Sequence, residues 1–365
     1  MKNTYRILRL IAVSLCLVGC YTFKDDPAFV RADPDGGEGG DPSSANEIAL
    51  SQYSTVEISS ARDVVATTGT LFALGSDEFA VYDISTPSSP TLQSGNTNLN
   101  YSKNAALAGT MLFVLDSELH SNQSRLSVYD VTSTATDPEM LNRLEGLPTY
   151  DKMLTLDGKL YLMRSGSITV YPATVEPEVL QDTPLSEGEL LDFTIASGHL
   201  YASWISSNYT EDKAVRGFTI ASTGELSSPT DIPMEYTAEA MGGNDSYLAI
   251  GESQKLHLFS ISLSGSLSEI QPSADIDWNV IFGDIEEEVA SFHSKSQHEF
   301  KDIAIDGNTV YVAGGDRVSL FSISGTSFSF LGRLSVDGDF IRVDETNDLL
   351  YVGDSSGGID IFARY

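Results

Sequence analysis

Seven polar residues stand at matching places along the chain: Asp63, Asn104, Lys152, Asp192, Glu239, Asp302 and Arg342. They fall at the starts of short apolar runs, so a repeating fold would gather them in a ring at one mouth of a channel. Carboxylates, an amide and cations in one ring can grip a small charged ligand or an ion. They can equally cap turns and satisfy backbone donors. A hydrolase or lyase working there, with or without a metal, would use Asp63, Asp192, Glu239, Asp302 and Arg342.

Other signals of chemistry are weaker. The string GDSSGG at 353–358 has the make-up of a serine nucleophile turn, but no His–Asp partner follows in a hydrolase order. His298-Glu299 begins a zinc motif whose second His would fall at 302, where Asp302 stands. His293 and Glu286, Glu287 and Glu288 offer imidazole and carboxylate ligands if their segment folds tightly, and otherwise form a solvated acidic stretch. There is no phosphate loop and no dinucleotide fingerprint. The sequence assigns no catalytic residue, metal ligand or cofactor.

The elements that position these residues recur. LFALG at Leu71, LFVLD at Leu112, LYLMR at Leu160 and LYASW at Leu200 align with YLAIG at Tyr247, VYVAG at Val310 and LYVGD at Leu350. The spacing is mostly about 40 residues, the period of a propeller blade. Each copy is followed by a further strand-like run, among them AVYDIS, LSVYDV, ITVYPA and VSLFSI. The aligned runs are apolar on nearly every residue, as in a strand whose sheet is buried on both faces. Helical periodicity is confined to a turn or two around GDIEEEVASFHSK near Asp284. The pattern predicts an all-β, seven-bladed β-propeller of four-stranded blades. The last copy ends at IDIFARY with nothing left for a fourth strand, while YSTVEISS at 53–60 precedes the first copy as a spare. That N-terminal strand is expected to complete the last blade and remove two open sheet edges.

Strand order decides which loops share a face. The longer insertions begin at Asp116, Ser206 and Asp277, and all three map to the face of the polar ring. Trp204, Tyr209, Trp278, Phe282, Phe292 and His293 lie in or beside them. Exposed aromatics there would anchor a protein or stack on a sugar. Alternatively, the 277–297 insertion folds back over the channel as a lid with its aromatics buried.

Residues 1–19 read as a leader, with Lys2, Arg6 and Arg9 ahead of the apolar LIAVSLCLVG. Residues 20–52 hold DPDGGEGGDPSS and little to bury, which makes an acidic Gly/Pro/Ser tether, and 53–365 form the propeller. The formal charge of −31 becomes about −34 without the leader, which argues against nucleic-acid binding. The only cysteines are Cys16 and Cys20, so the folded part has no disulfide.

Leu17-Val18-Gly19-Cys20 resembles the lipobox of bacterial lipoproteins. The resemblance implies cleavage before Cys20, acylation of its thiol (palmitate among the acyl groups) and attachment to the cell envelope without a span. Tyr21 after the cysteine favours the outer membrane under the enterobacterial sorting rule. The motif RDV..TTGTLFALG..EFAVYDISTPSSP resembles the LVIVD-type repeats of bacterial surface β-propellers, with Asp63, Gly69, Tyr82, Asp83, Ser85 and Pro87 on the pattern. Asp130, and Asp302 with Gly307, match parts of it, whereas Pro172, Ser260 and Ser322 replace the third-strand Asp. That resemblance implies a surface propeller and carries over no catalytic residue. Together these features predict a monomeric, non-enzymatic module that binds an envelope or extracellular protein or glycan. A mouth-sited hydrolase or lyase and a structural part of an envelope assembly are the alternatives.

Overall fold

The computed structural model describes residues 48–365, apart from 97–98, 118–122, 133–137, 186–187, 207–212, 253–254, 263, 274–299, 315–316, 337 and 355–356. The described residues are all-β, and no helix among them is long and apolar enough to cross a membrane. The first strand is β1 (Gln52–Glu57). A four-stranded antiparallel sheet follows: β2 (Asp63–Thr67), β3 (Thr70–Leu74), β4 (Phe79–Asp83) and β5 (Thr91–Asn96). The next is β6 (Ser102–Ala108), β7 (Met111–Ser117), β8 (Gln123–Asp130) and β9 (Glu139–Pro148). Then come β10 (Lys152–Leu156), β11 (Lys159–Arg164), β12 (Ser167–Pro172) and β13 (Gln181–Pro184). After them lie β14 (Gly188–Ala196), β15 (His199–Ser206), β16 (Lys213–Thr219) and β17 (Thr230–Pro233).

Two further groups of four share an eight-stranded sheet: β18 (Ala238–Gly243), β19 (Tyr247–Glu252), β20 (Lys255–Ile261) and β21 (Leu267–Pro272), with β22 (Phe300–Asp306), β23 (Thr309–Gly314), β24 (Arg317–Ser324) and β25 (Ser327–Leu334). Only Gln271↔Ser327 and Pro272↔Phe328 join the two groups, as a short parallel contact between outer strands. The chain ends with β26 (Phe340–Asp344), β27 (Leu349–Gly353) and β28 (Gly358–Ala363). These four-stranded sheets are typical of a propeller.

Local chemistry explains the hairpins. Asp157-Gly158 and Ser197-Gly198 join first to second strands, with φ of +47 and +70° and of +50 and +70°. Two successive positive φ values make the tight turn whose twist matches the flanking strands. The second strands are buried on both faces, as Leu71 to Leu74 and Leu112 to Leu115 illustrate.

Each sheet packs against the next through its own apolar cluster. Phe72, Leu74, Phe79 and Val81 meet Leu112, Val114 and Tyr129. The series ends with Val64, Leu71 and Ala73 against Phe340, Tyr351, Ile359 and Ile361, so the last sheet packs on the first. Burying one such side chain is worth roughly 1.5–3 kcal/mol. The innermost strands touch in the same succession, and β26 returns to β2.

β1 leaves its own neighbours in sequence and pairs with β28, with Val56 opposite Ile359 and Glu57 opposite Gly358. Thr55 and Gln52 both donate to the Asp360 carboxylate, the latter at 2.9 Å. The described residues upstream of Tyr53 are also engaged: Ile48 N donates to Arg333 O at 2.9 Å, and Ile48 and Leu50 pack near Leu334 and Phe362. The short helix expected near Asp284 lies outside the described residues.

A variant beginning after Glu57 loses this pairing and uncovers Ile359 and Ile361. We expect a thermal midpoint several degrees lower and concentration-dependent association through the open β28 edge, read by circular dichroism melting and size exclusion.

Candidate functional site at the channel mouth

Most of the polar residues at the starts of the inner strands stitch neighbouring sheets together. Asp63 opens β2 and is 1% exposed. Its Oδ2 accepts Ala105 N from the second sheet at 3.0 Å and also takes the Asn104 amide. Asn104 repeats the move, with Oδ1 accepting Met153 N at 2.8 Å. Asp192 accepts Met241 N at 2.8 Å, and Asp302 accepts Ile341 N at 2.9 Å. Lys152 has no acceptor to offer, so the series changes there: its Nζ lies 2.6 Å from Asp192 Oδ1.

Glu239 and Arg342 occupy different places from the rest. Asp63, Asn104, Lys152 and Asp302 pair with Leu74, Leu115, Met163 and Ala313, which are equivalent positions on the second strands. In the last sheet that position belongs to Phe340, opposite Gly353, and Arg342 lies two residues deeper, opposite Tyr351. The two-residue step keeps it on the channel side. From there its guanidinium bridges two sheets, 2.8 Å from Asp63 Oδ1 and 2.6 Å from Asp302 Oδ2. Glu239 sits in the irregularity between Ala238 and Ala240, where its Oε2 accepts Phe300 N at 3.1 Å.

Burial pushes the Asp192 carboxyl above the usual range, Lys152 pulls it back, and the Asp302 charge adds to the rise. Burial works against the Arg342 charge, but Asp63 and Asp302 more than offset it. Inside the ring, a cavity of 410 Å³ runs along β2, β6, β10 and β26 towards Asp344 and Glu345. Among the described residues, no group of three or more His, Cys, Asp or Glu is placed to hold a metal ion.

The aromatic reading needs one correction. Trp204 is 8% exposed and belongs to the core between the third and fourth sheets. The Arg216 guanidinium covers its ring at 3.9 Å, so it offers no free face to a partner. Its position, one strand residue before Ile205, makes it core rather than loop. Tyr209, Trp278, Phe282, Phe292 and His293 lie outside the described residues, as do Cys20, Glu286 to Glu288 and His298.

A second tier, one residue upstream of the ring, was not singled out from the sequence. Arg62, Lys103, Asp151 and Lys301 immediately precede Asp63, Asn104, Lys152 and Asp302. Lys103 Nζ is 2.8 Å from Asp151 Oδ1, and Lys301 pairs with Asp339. The repeated charged dipeptides were the available signal.

The same geometry accounts for the motif of the first sheet. Asp63 makes the inter-sheet bond, and Gly69 turns the hairpin at φ +73°. Asp83 accepts Ser85 N at 2.8 Å, and Tyr82 Oη donates to Glu57 O at 2.6 Å. This segment matches the LVIVD repeat family over residues 61–97. Elsewhere the chain keeps the fold of the LVIVD segment with less of its motif: Asp130 still accepts Thr132 N at 2.8 Å, while Pro172 cannot cap a turn in that way. No curated protein matches the sequence.

Solved structures similar to this LVIVD-containing chain are propeller-like. A periplasmic gluconolactonase of Pseudomonas aeruginosa is 15% identical, with a TM-score of 0.56, and the match covers 80% of this chain and 89% of that one. A candidate 6-phosphogluconolactonase from Bacteroides uniformis is 11% identical at a TM-score of 0.57, covering 80% and 92%. A chain of the mitotic checkpoint complex is 11% identical at 0.59, covering 92% and 100%. Likeness at this identity is of fold alone.

A separate cluster on β19 to β21 carries a titratable histidine. His257 Nε2 is 2.7 Å from the buried Glu252 and Nδ1 is 3.3 Å from Glu269. The Glu252 hydrogen bond raises His257 above 6.5 against the effect of burial, with Glu269 adding to it. Glu252 itself is held below 4.5: its burial opposes this, and His257 and the Tyr236 N–H outweigh that.

Two outcomes are expected. Arg342→Ala leaves the buried Asp63 and Asp302 facing each other without their cation and costs on the order of 3 kcal/mol in urea unfolding. Restoring neutrality with Asp63→Asn and Asp302→Asn recovers part of it. For His257, the raised value means its contribution to stability is complete below pH 6.5 and is lost as pH rises through the folded-state value. The lowered Glu252 contributes above pH 4.5 and loses that on acidification. Melting curves from pH 5 to 9 therefore show an alkaline decline that His257→Gln flattens.

Proposed function

We propose that the protein is a lipid-anchored cell-envelope propeller of seven four-stranded blades, closed by its N-terminal strand, that binds a protein or glycan without turning it over. Its contact surface is the face carrying the channel mouth and the insertions at Asp116, Ser206 and Asp277. In this reading residues 1–19 are removed, Cys20 carries the acyl chains, and 20–52 tether the propeller to the outer membrane.

The observation that supports it best is how the ring side chains are engaged. Asp63, Asn104, Asp192 and Asp302 each accept a backbone N–H from the next sheet. A carboxylate that holds the scaffold together is poorly suited to carry protons to and from a substrate. The mouth is thus a stiff rim, and loops presented by a rigid scaffold suit recognition. A hydrolase is the second reading. The group it would use is Asp192, whose carboxyl is pushed up by burial and whose partner is the Lys152 ammonium.

A pull-down from detergent-solubilised envelope, comparing the mature protein with one lacking 277–297, separates these readings. Binding predicts one captured partner that the deletion loses while circular dichroism is unchanged. No captured partner, together with turnover of a sugar lactone that Asp192→Asn abolishes, would sink the non-enzymatic reading.

A further inference from the structure

We infer that the cavity on the rim of the channel mouth, bordered by Arg62, Tyr101, Ser102 and Lys103, binds a sugar carboxylate of the uronic-acid class. This rests on the binding reading above and names the ligand chemistry of the same face. The cavity measures 530 Å³, within the range of small-ligand sites.

The charge pattern selects the anion. The chain has 52 acidic residues against 21 Lys and Arg, so an arginine without a carboxylate partner stands out. Among the described residues Arg62 has no carboxylate partner: it is exposed, and its contact is with the Tyr101 ring, 6.0 Å from the centroid. The neighbouring Lys103 and Lys301 are already neutralised by Asp151 and Asp339. One free guanidinium fork matches one carboxylate bidentately. A phosphate dianion beside Asp151 and Asp339 would bring more negative charge than the rim can balance.

The rest of the cavity suits a pyranose. Tyr101 is 52% exposed and holds φ at +54°, a conformation that a bulky side chain rarely adopts. The carbonyls of Asn100 and Tyr101 both accept Ser117 N at 3.1 Å, which pins this backbone and keeps the ring on the rim. An exposed aromatic face packs against the C–H face of a sugar. Ser102 is 2% exposed, and among the described residues its hydroxyl has no hydrogen-bond partner. A buried hydroxyl in that state is unusual and marks the polar wall of the cavity. Asp151 is half exposed beyond its contact with Lys103 and can accept from the ring hydroxyls.

The test is calorimetric titration of the mature protein with D-glucuronate, trigalacturonate, glucose and glucose 6-phosphate. Binding of an acid sugar in preference to glucose and to the phosphate supports the site. If glucuronate suffices, the free sugar acid is the unit recognised; if only the trimer binds, it is a glycan chain. Arg62→Gln and Tyr101→Ala each weaken binding by about tenfold or more with an unchanged melting temperature. Failure of both acid sugars to bind, equal binding of glucose, tighter binding of the phosphate, or an unchanged Kd in Arg62→Gln would each overturn it. Failure of both acid sugars to bind, with an envelope partner still captured, would show that the binding reading stands while this site falls.

Discussion

A polar side chain at the start of one inner strand accepts a backbone N–H from the next sheet, and the ring of sheets depends on that stitch. Apolar packing between sheets is strong but slides easily, because it has no direction. The carboxylates of Asp63, Asp192 and Asp302 and the amide of Asn104 supply the direction. They stand where the inner strands converge, so a small rotation of one sheet would break a bond at the axis. Arg342 adds the joint between the ends of the series. It draws Asp302 of the sixth group and Asp63 of the first towards the last sheet. A charge so placed would be costly if unpaired; between two carboxylates that already hold backbone donors, it is compensated.

The same economy of charge runs through the whole chain. With so many carboxylates, most described cations are engaged: Arg125 with Asp116, Lys152 with Asp192, Arg216 with Asp231, Arg364 with Asp306 and Asp348. Several of these pairs lie within or between sheets, where they keep like charges of the acidic body apart. Among the described residues Arg62 makes its contact with the Tyr101 ring and not with a carboxylate, and Lys213 likewise lies over Tyr236. Arg62 lines the cavity beside Tyr101, Ser102 and Lys103 and takes no part in the inter-sheet stitches.

The repeat shows which parts of a motif are physically indispensable. Asp83 and Asp130 each cap an exposed turn through the amide two residues on. Such a cap is local and worth little, and later copies replace it with Pro172, Ser260 or Ser322. The inner-strand position is buried and joins two sheets, and a polar group persists there in most copies. Hence only the first copy matches the family pattern closely while the later sheets keep the same architecture.

The sequence by itself determined the strands, their hairpins and the polar positions at the starts of most inner strands. Alternating and double-faced apolar runs, Asp-Gly and Ser-Gly turns and the spare strand before Arg62 are local signals, set by the two-residue strand period and by turn stereochemistry. Tertiary structure alone decided what those residues face. Trp204 reads as a loop aromatic, yet packing against the third sheet and the Arg216 guanidinium buries it. Arg342 reads as a member of the ring, yet its register sets it two residues deeper, where it can reach carboxylates 279 and 40 positions away in sequence. Arg62 and Tyr101 carry no shared signal along the chain and meet only because neighbouring inner strands converge at the mouth. Contacts of that kind depend on the angle and register between sheets, which no short window of sequence encodes.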